Sequence, residues 1–345
     1  MAIKVYDADL HSERETIINA LTRFLSMSSD DKRFEWLYVT NPHGQTRAWL
    51  AVDEVNNTVI GTAAAFPRQF YLGTSEVLGW ILGDFCLDTQ YRSLGPALQL
   101  QRACLGVLAT SQAGFCCDFP SASMVAVYER LGFSMTGKML RLAKPLRVDR
   151  KVKEVIKNSA AQRIATSIGN TFLKMASPKG TADETLEISN QKGPCDEEFT
   201  ALMHEQRGRL GICLQRSAEY LNWRYVDNPL VPYEVITARK HGSLKGYAVW
   251  TEAGEDASIV DLFGDDQCGM MGRLVAEIAA LARNRGVMTL SVSINESHPW
   301  RSLFCELGFR LRDSVPMVII PSKTFAGKID PHLIGWYLMQ GDRDS

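Results

Sequence analysis

Apolar and polar residues alternate in short blocks along most of the chain. The segments "RAWLAVDE", "TVIGTAAAF" and "VLGWILGDFCL" are apolar runs of strand length, and "EVNNT" between the first two has the residues of a hairpin turn. After residue 91 apolar residues recur at helical spacing, at Ala97, Leu100, Cys104, Val107 and Leu108. "FCCDF" then predicts a strand, and a second amphipathic run ends at Gly132. This order of strands and helices predicts an α+β (mixed α/β) fold.

The same order of blocks occurs twice. "FEWLYVTNP" at 34–42 matches "LNWRYVDNP" at 221–229, so that Trp36 recurs as Trp223 at an offset of 187 (223 − 36). "TVIGTAAAF" corresponds to "SLKGYAVW", "ILGDF" to "SIVDLF" and "YERLGF" to "FCELGF". Four blocks in one order indicate an internal duplication. The Trp and Tyr residues of these blocks are predicted to be core anchors.

The duplication predicts two domains, residues 1–146 and 196–322. Between them, residues 147–195 contain a basic amphipathic helix followed by an exposed linker, and residues 323–345 form a C-terminal tail that we expect to pack on the domains. A basic amphipathic helix can lie on a membrane surface. We expect the helix at 150–175 to pack against its own domains instead, with membrane contact as the alternative.

Composition excludes several classes of function. The 345 residues are 46% hydrophobic and 22% charged, as in soluble globular proteins, and the net charge is −1. We therefore expect no nucleic acid partner. The N-terminal segment "MAIKVYDADLHSERE" carries charges where a signal peptide needs an apolar core, so we expect a cytoplasmic protein. No apolar run approaches the roughly 20 residues that span a bilayer.

The cysteines and histidines give little support to a metal site. None of the eight cysteines belongs to a C-x-x-C pair, and no two histidines are four residues apart. Cys116 and Cys117 point to opposite faces if they lie in a strand. We predict buried, reduced thiols and no metal. The cysteines are Cys86, Cys104, Cys116, Cys117, Cys195, Cys213, Cys268 and Cys305.

The loop at 91–97, "YRSLGPA", joins an apolar strand to a helix. The first turn of a helix has unpaired N–H groups and the positive end of the helix dipole, which together favour phosphate. Gly95 and Ala97 keep this turn small, and Pro96 suits the first helical position, where its missing N–H is not needed. Arg92 adds positive charge at the rim. An ordinary strand-to-helix turn is the alternative.

Two motifs resemble those of the GNAT superfamily of acyl-CoA-dependent N-acyltransferases. R-S-L-G-P-A matches the pattern R/Q-x-x-G-x-G/A and lies between the fourth strand and the next helix. The segment 121–133 is similar to N-x-x-A-x-x-x-Y-x-x-x-G-F, with Ser121 in the place of Asn. The resemblance covers most of 1–145 and extends weakly over 196–320. It implies tandem GNAT-like domains, each a mostly antiparallel sheet with one parallel pair, flanked by helices.

The resemblance also implies a site for acetyl-CoA or another acyl-CoA as co-substrate. Tyr128 would lie near the thioester sulfur and protonate the departing thiolate, unless it is a packed core tyrosine. The pantetheine arm would follow the end of the fourth strand, and the pyrophosphate would contact the loop. The implied contacts are Phe85, Cys86, Leu87, Arg92, Ser93, Leu94, Gly95, Pro96 and Ala97.

Acyl transfer requires a hydrogen-bond donor to the oxyanion and a general base. Backbone amides near Cys86 are predicted to bind the oxyanion. Asp84, a charged residue inside an apolar strand, is our predicted general base. Asp84 could instead cap a loop or pair with an arginine, and Asp118 and Glu76 are then the alternative bases.

The second half departs from this pattern. In place of the loop it has "DDQCGMMGRL", where Gln267 and Gly269 lack the motif spacing and Asp265 and Asp266 would repel a pyrophosphate. Phe304 replaces the tyrosine. We predict a degenerate domain that supports the first.

Three functions remain open. An acyl-CoA-dependent N-acyltransferase, most simply an acetyltransferase, would act on a small-molecule amine or an aminosugar-type acceptor. A CoA-binding scaffold without turnover is the first alternative. An aminoacyl-tRNA-dependent transferase of related tandem fold is the second, and the near-zero net charge and the intact loop argue against it. The sequence predicts neither the acyl chain length nor the oligomeric state.

Overall fold

The computed structural model describes residues 2–25, 30–110, 113–175, 185–265, 269–327 and 335–344. The strands in these ranges are β1 (Ile3–Ala8), β2 (Arg47–Asp53), β3 (Thr58–Leu72), β4 (Ser75–Leu87), β5 (Ala113–Asp118), β6 (Gly137–Pro145), β7 (Leu186–Asn190), β8 (Ile212–Leu214), β9 (Glu234–Lys240), β10 (Ser243–Ala253), β11 (Asp256–Gly264), β12 (Thr289–Asn295), β13 (Arg310–Pro321) and β14 (Trp336–Tyr337). The helices are α1 (Arg14–Phe24), α2 (Asp31–Phe34), α3 (Leu94–Cys104), α4 (Val107–Thr110), α5 (Ala122–Arg130), α6 (Asp149–Val155), α7 (Ser159–Met175), α8 (Glu197–Gln206), α9 (Ala218–Leu221), α10 (Met270–Asn284) and α11 (Arg301–Glu306).

One large mixed sheet runs through both halves of the chain. Its strand order is β1-β2-β3-β4-β5-β13-β6-β12-β11-β10-β9-β7, with β8 attached to β3 and β14 attached to β8. The pairs along this order are antiparallel except β4–β5 and β11–β12, one parallel pair in each half. Helices pack on the sheet. The predicted fold class is therefore confirmed.

The two halves exchange their last long strands. β13 belongs to the second half but pairs with β5, where Val318 lies opposite Asp118. β6 belongs to the first half but pairs with β12, where Leu290 lies opposite Lys144. Each half therefore completes the sheet of the other, and the sheet is continuous across the boundaries predicted at 146 and 196.

A pair of tryptophans joins the halves. Trp36 and Trp223 stack with their ring centroids 5.1 Å apart. Each indole N–H donates to the backbone carbonyl of the other tryptophan, at 2.8 and 3.0 Å. They lie in equivalent π-helical turns, Glu35–Val39 and Asn222–Val226. The repeated W-x-Y blocks are thus core anchors, as predicted.

One expectation about the region between the halves is wrong, and another holds only in part. Part of the predicted exposed linker forms β7, which pairs with β9 and buries Leu186, because Leu186 and Ile188 alternate with polar residues as in a strand. The basic amphipathic segment contacts its own protein, since Arg150 donates to Glu255. Its apolar side is only partly covered, because Val152 and Ile156 are half-buried while Ile164 and Ile168 are 63% and 64% exposed.

Six of the seven described cysteines are buried, as predicted, and Cys305 is the exception. Cys116 and Cys117 belong to hydrophobic clusters on opposite faces of the sheet, and both thiols have raised pKa values because they are buried. Cys305 is exposed, and Cys268 lies outside the described residues. Within the described ranges there is no group of three or more His, Cys, Asp or Glu residues arranged to hold a metal. Among the same residues, no helix is long and apolar enough to cross a membrane.

Candidate acyl-donor site

β4 and β5 diverge at one end of the sheet. Their parallel pairing ends at Ile81 opposite Cys117, while β4 continues to Leu87. A bulge shifts the register of β4 against β3 at this point, and Asp84 takes the left-handed conformation with φ 51°. A bulge bends its strand and increases the local twist, so it turns the end of β4 away from β5.

A cavity of about 470 Å³ opens at this divergence. It is lined by Phe24, Leu25, Phe85, Cys86, Leu87, Arg92, Ser93, Leu94, Ala97, Ser121, Ser123, Met124 and Val127. Seven of the nine predicted co-substrate contacts are in this set. Gly95 and Pro96 lie on the same helical turn but do not line the cavity.

Two helices begin at this cavity. Ser93 and Ser121 are extended residues that precede α3 and α5, and neither side chain caps its own helix. Both serines line the cavity. The first-turn N–H groups of α3 and α5 have no acceptor within their helices, and both positive dipole ends lie at one opening. The arrangement favours an anion.

The start of α3 differs from the prediction in one respect. The helix begins at Leu94 because Ser93 is extended, so Pro96 is the third helical residue and not the first. Proline is still tolerated there, since the first-turn N–H groups have no partner in the helix. A Cβ built on Gly95 would meet no atom within 4 Å, and the backbone of Gly95 is not left-handed.

Arg92 lies at the rim of the cavity. Its Nε donates to the carbonyl of Leu87 at 3.2 Å, and its Nη2 lies 3.5 Å from the carbonyl of Phe24. These contacts hold a positive charge between the end of β4 and the start of α3. Among the described residues that line the larger cavity, none is acidic.

A smaller cavity of about 260 Å³ adjoins the first and shares Leu25, Phe85, Ser121 and Met124 with it. Asp84, Gln101 and Asp118 give it polar lining. It therefore brings two of the three predicted bases to one space. The third, Glu76, lies near the opposite end of β4 and accepts a hydrogen bond from Tyr71 at 3.3 Å.

Asp118 and Tyr128 form a short hydrogen bond beside the smaller cavity. The Tyr128 hydroxyl donates to Asp118 Oδ2 at 2.5 Å and accepts from Gln101 Nε2 at 2.8 Å. Burial raises the pKa of Asp118 to about 6 and raises the pKa of Tyr128 well above its usual value. Tyr128 is fully buried and lines neither cavity, so its hydroxyl faces this space only through Asp118 and Gln101.

Asp84 is bound by two side chains. Arg33 donates to both of its carboxylate oxygens, at 2.8 and 2.6 Å, and the Tyr38 hydroxyl donates to Oδ2 at 2.6 Å. The structure thus places Asp84 in the arginine pairing that sequence reasoning left open. Arg33 and Gln101 were not foreseen. The available signal was the cost of an unpaired carboxylate inside an apolar strand, which requires a partner.

The equivalent divergence in the second half is filled by the C-terminal tail. The parallel pairing of β11 with β12 ends at Ile259 opposite Val292. Beyond it, the Asn295 N–H donates to the carbonyl of Leu338 at 2.9 Å, and the Leu262 N–H lies 3.1 Å from the sulfur of Met339.

Buried side chains also fill the space between the ends of β11 and β12. Met270 and Met271 in the first turn of α10 are buried, unlike Leu94 and Gly95 in α3. Arg216, Asp261 and Asp342 form a buried cluster, with Nη2 of Arg216 3.0 Å from Asp342 and 3.1 Å from Asp261. The predicted sequence features at 266–268 lie outside the described residues.

No protein-family model matches this sequence, and no curated protein matches it. Solved structures do match. A conserved protein of unknown function from Enterococcus faecalis has a TM-score of 0.66 at 13% identity, over 94% of this chain and 74% of that one. A GCN5-related N-acetyltransferase from Anabaena variabilis gives 0.65 at 13% identity, over 94% and 74%. Saccharomyces cerevisiae N-myristoyltransferase with bound myristoyl-CoA gives 0.57 at 11% identity, over 92% and 82%. This chain therefore has the fold of GCN5-related N-acetyltransferases, as its motifs predicted, and of N-myristoyltransferase.

Proposed function

We propose that this protein is an acyl-CoA-dependent N-acyltransferase, which moves an acyl group from a CoA thioester to an amine. The observation that carries the proposal is the open cavity between β4 and β5, at which two helices begin. The fold shared with a GCN5-related N-acetyltransferase and with a myristoyl-CoA-bound N-myristoyltransferase supports the same activity.

The presence of glycine at Gly95 is evidence for a diphosphate-binding position at the start of α3. Glycine inside a helix costs about 1 kcal/mol relative to alanine. Nothing in the described protein requires it, because its backbone is not left-handed and no neighbouring atom would touch a Cβ. A ligand that approaches the backbone closely gives the missing reason. Arg92 would add a second favourable charge.

The end of β4 supports a pantetheine arm. Beyond Ile81 the strand pairs with β3 on one side and no longer with β5 on the other. An extended ligand with amide groups can bind to such a strand edge as an added strand does. The predicted contacts Phe85 to Leu87 lie on this stretch, and an amide near Cys86 could then stabilise the oxyanion.

The geometry favours Asp118 over Asp84 as the base. The Arg33 guanidinium holds Asp84 in a two-point ion pair. Asp118 accepts instead from neutral donors, the Phe119 N–H on Oδ1 at 2.6 Å and the Tyr128 hydroxyl on Oδ2. Asp118 lines the smaller cavity, and its pKa of about 6 leaves the carboxylate ionised at neutral pH and close to the operating range of a general base.

The proposed reaction conserves protons. The amine nitrogen bonds to the thioester carbon, the C–S bond breaks, and Asp118 takes the amine proton and returns it to the departing thiolate. Tyr128 would act through Asp118 as a positioning residue, because its hydroxyl touches Asp118 and not the cavities. A short acyl group such as acetyl suits the smaller cavity of about 260 Å³.

Calorimetric titration with CoA and acetyl-CoA tests the site. We expect Gly95→Glu to abolish binding, since the new carboxylate would occupy and repel the diphosphate position. Gly327→Glu is the matched control, because a Cβ there also meets no atom within 4 Å. For the unmodified chain, CoA at about 100 times its Kd should add about 2.7 kcal/mol to the free energy of unfolding.

The outcomes separate the candidate functions. Binding that survives Gly95→Glu would remove the proposed site. Binding without acyl transfer to any member of a broad amine panel would favour the CoA-binding scaffold.

A further inference from the structure

In the basic hairpin, defined here as α6 and α7 with the residues that join them, one side of α7 contacts the start of α6. Asn170 Oδ1 accepts from the Val148 N–H at 2.8 Å, and its Nδ2 donates to Asp149 at 2.9 Å. Gly169 lies so close to Val148 that a Cβ would come within 2.5 Å of its side chain. These contacts fix which side of α7 faces the start of α6.

Within the described part of the chain, the other side of α7 carries two isoleucines that are largely exposed. Successive helical residues are about 100° apart, so Ile164 and Ile168 lie opposite Gly169 and Asn170. The two isoleucines are 63% and 64% exposed, and Val155 at the end of α6 is 80% exposed. The next nine residues, 176–184, contain no aromatic or branched aliphatic side chain that could cover them.

The hairpin is also strongly basic. Residues 147–175 hold seven Lys and Arg residues and two acidic ones, a net charge of +5 (7 − 2), in a chain whose total is −1. Lys151, Lys153, Lys157 and Arg163 are exposed. The positive charge of the protein is thus concentrated beside its uncovered isoleucines.

We propose that the basic hairpin binds the surface of an anionic lipid bilayer. Ile164, Ile168 and Val155 would enter the boundary between headgroups and acyl chains, and the lysines would contact the anionic headgroups. A phosphate backbone would satisfy the lysines but not the apolar centre of the surface, so nucleic acid is the poorer match. The site is separate from the acyl-donor cavity and does not depend on the proposed enzyme activity.

Co-sedimentation of the full chain with lipid vesicles tests this inference. We expect binding to vesicles of phosphatidylcholine with phosphatidylserine, little binding to phosphatidylcholine alone, and weakening as salt rises. Replacing Lys151 and Lys153 by Gln should weaken binding about fivefold for each charge, since one cation near an anionic surface contributes about 1 kcal/mol. Lys192→Gln with Lys323→Gln is the charge-matched control, as both residues are exposed.

The apolar contribution has its own test. Ile164→Glu with Ile168→Glu should abolish vesicle binding while leaving the thermal unfolding midpoint unchanged. Val55→Glu with Leu311→Glu makes the same change in charge at two other exposed apolar residues and should leave binding intact.

Three results would overturn the inference. The first is that binding to vesicles does not depend on phosphatidylserine, and the second is that a control variant loses as much vesicle binding as the variant it is matched to. The third is binding to RNA that competes with the vesicles. Self-association in analytical ultracentrifugation that disappears in the Ile164→Glu, Ile168→Glu variant would also overturn it, because the face would then be an interface between copies.

Discussion

In each half of the molecule, two parallel strands diverge at one end. The space between them is open in the first half and occupied by the chain's own tail in the second. Between β4 and β5 it is an open cavity of about 470 Å³. Between β11 and β12 it holds the chain's own residues 336–342, which bond to the ends of both strands. The tail supplies in the second half the backbone and apolar contacts that we assign to a ligand in the first.

The side chains around these two spaces also differ. Asp118 at the end of β5 corresponds to Asn295 at the end of β12, and Tyr128 corresponds to Phe304. Leu94 and Gly95 at the start of α3 are exposed, whereas Met270 and Met271 at the start of α10 are buried. The proposed site therefore rests on more than the fold. An open strand edge, an exposed helix start and an ionisable pair distinguish it from the second half.

The substitution with the largest expected effect is Asp118→Asn, which places in the first half the residue type that the second half has at Asn295. We expect kcat to fall by about 10²–10⁴-fold, as for loss of a general base, with CoA affinity unchanged. In the unmodified protein kcat/KM should fall as the pH drops through about 6, because the base becomes protonated, and the variant should lose this limb. A variant with unchanged kcat would exclude Asp118 as the base.

Arg216→Met tests how firmly the tail is held in the second half. Arg216 is fully buried and holds Asp261 and Asp342, so its loss leaves two carboxylates without their cation and detaches the tail. We expect the free energy of unfolding to fall by about 3–5 kcal/mol in chemical denaturation. Arg141→Met removes an exposed pair with Asp313 and should cost about 1 kcal/mol or less. Equal losses would show that the buried cluster does not hold the tail.

Tyr128→Phe is the mildest exchange between the halves. It removes the hydroxyl that donates to Asp118 and accepts from Gln101. One hydrogen bond to a charged group is worth about 1.5 kcal/mol, so kcat should fall roughly tenfold while the Kd for CoA stays the same. Calorimetry and steady-state kinetics separate the two effects, and parallel losses in both would assign Tyr128 to packing.

Much of the first half follows from local sequence. The positions of the strands, the loop at 91–97 and the helix after it come from apolar spacing and turn residues, and α3, β4 and β5 form where these predict them. The lengths follow less well, since β3 continues past the predicted run to Leu72 and a second helix, α4, begins at Val107. The opposite faces of Cys116 and Cys117 follow from strand geometry alone. The repeated blocks also locate Trp36 and Trp223 as matching anchors.

What the sequence could not predict depends on contacts between distant residues. The partner of Asp84 is Arg33, on a short helix 51 residues earlier, and no spacing rule joins the two. The exchange of β6 and β13 depends on which strand edges meet, because both strands would pair equally well by their own patterns. The tail, with its aromatic and acidic residues, predicts only a segment that packs on the domains, and no local pattern places it between β11 and β12.

A crystal structure with bound CoA, together with a calorimetric stoichiometry, tests the account most directly. The account predicts one CoA per chain, with its diphosphate at the amides of Leu94 and Gly95 and its pantetheine arm beside Phe85 to Leu87. Density for CoA between β11 and β12, with the tail displaced, or a cavity at β4 and β5 that stays empty at saturating CoA, would contradict it.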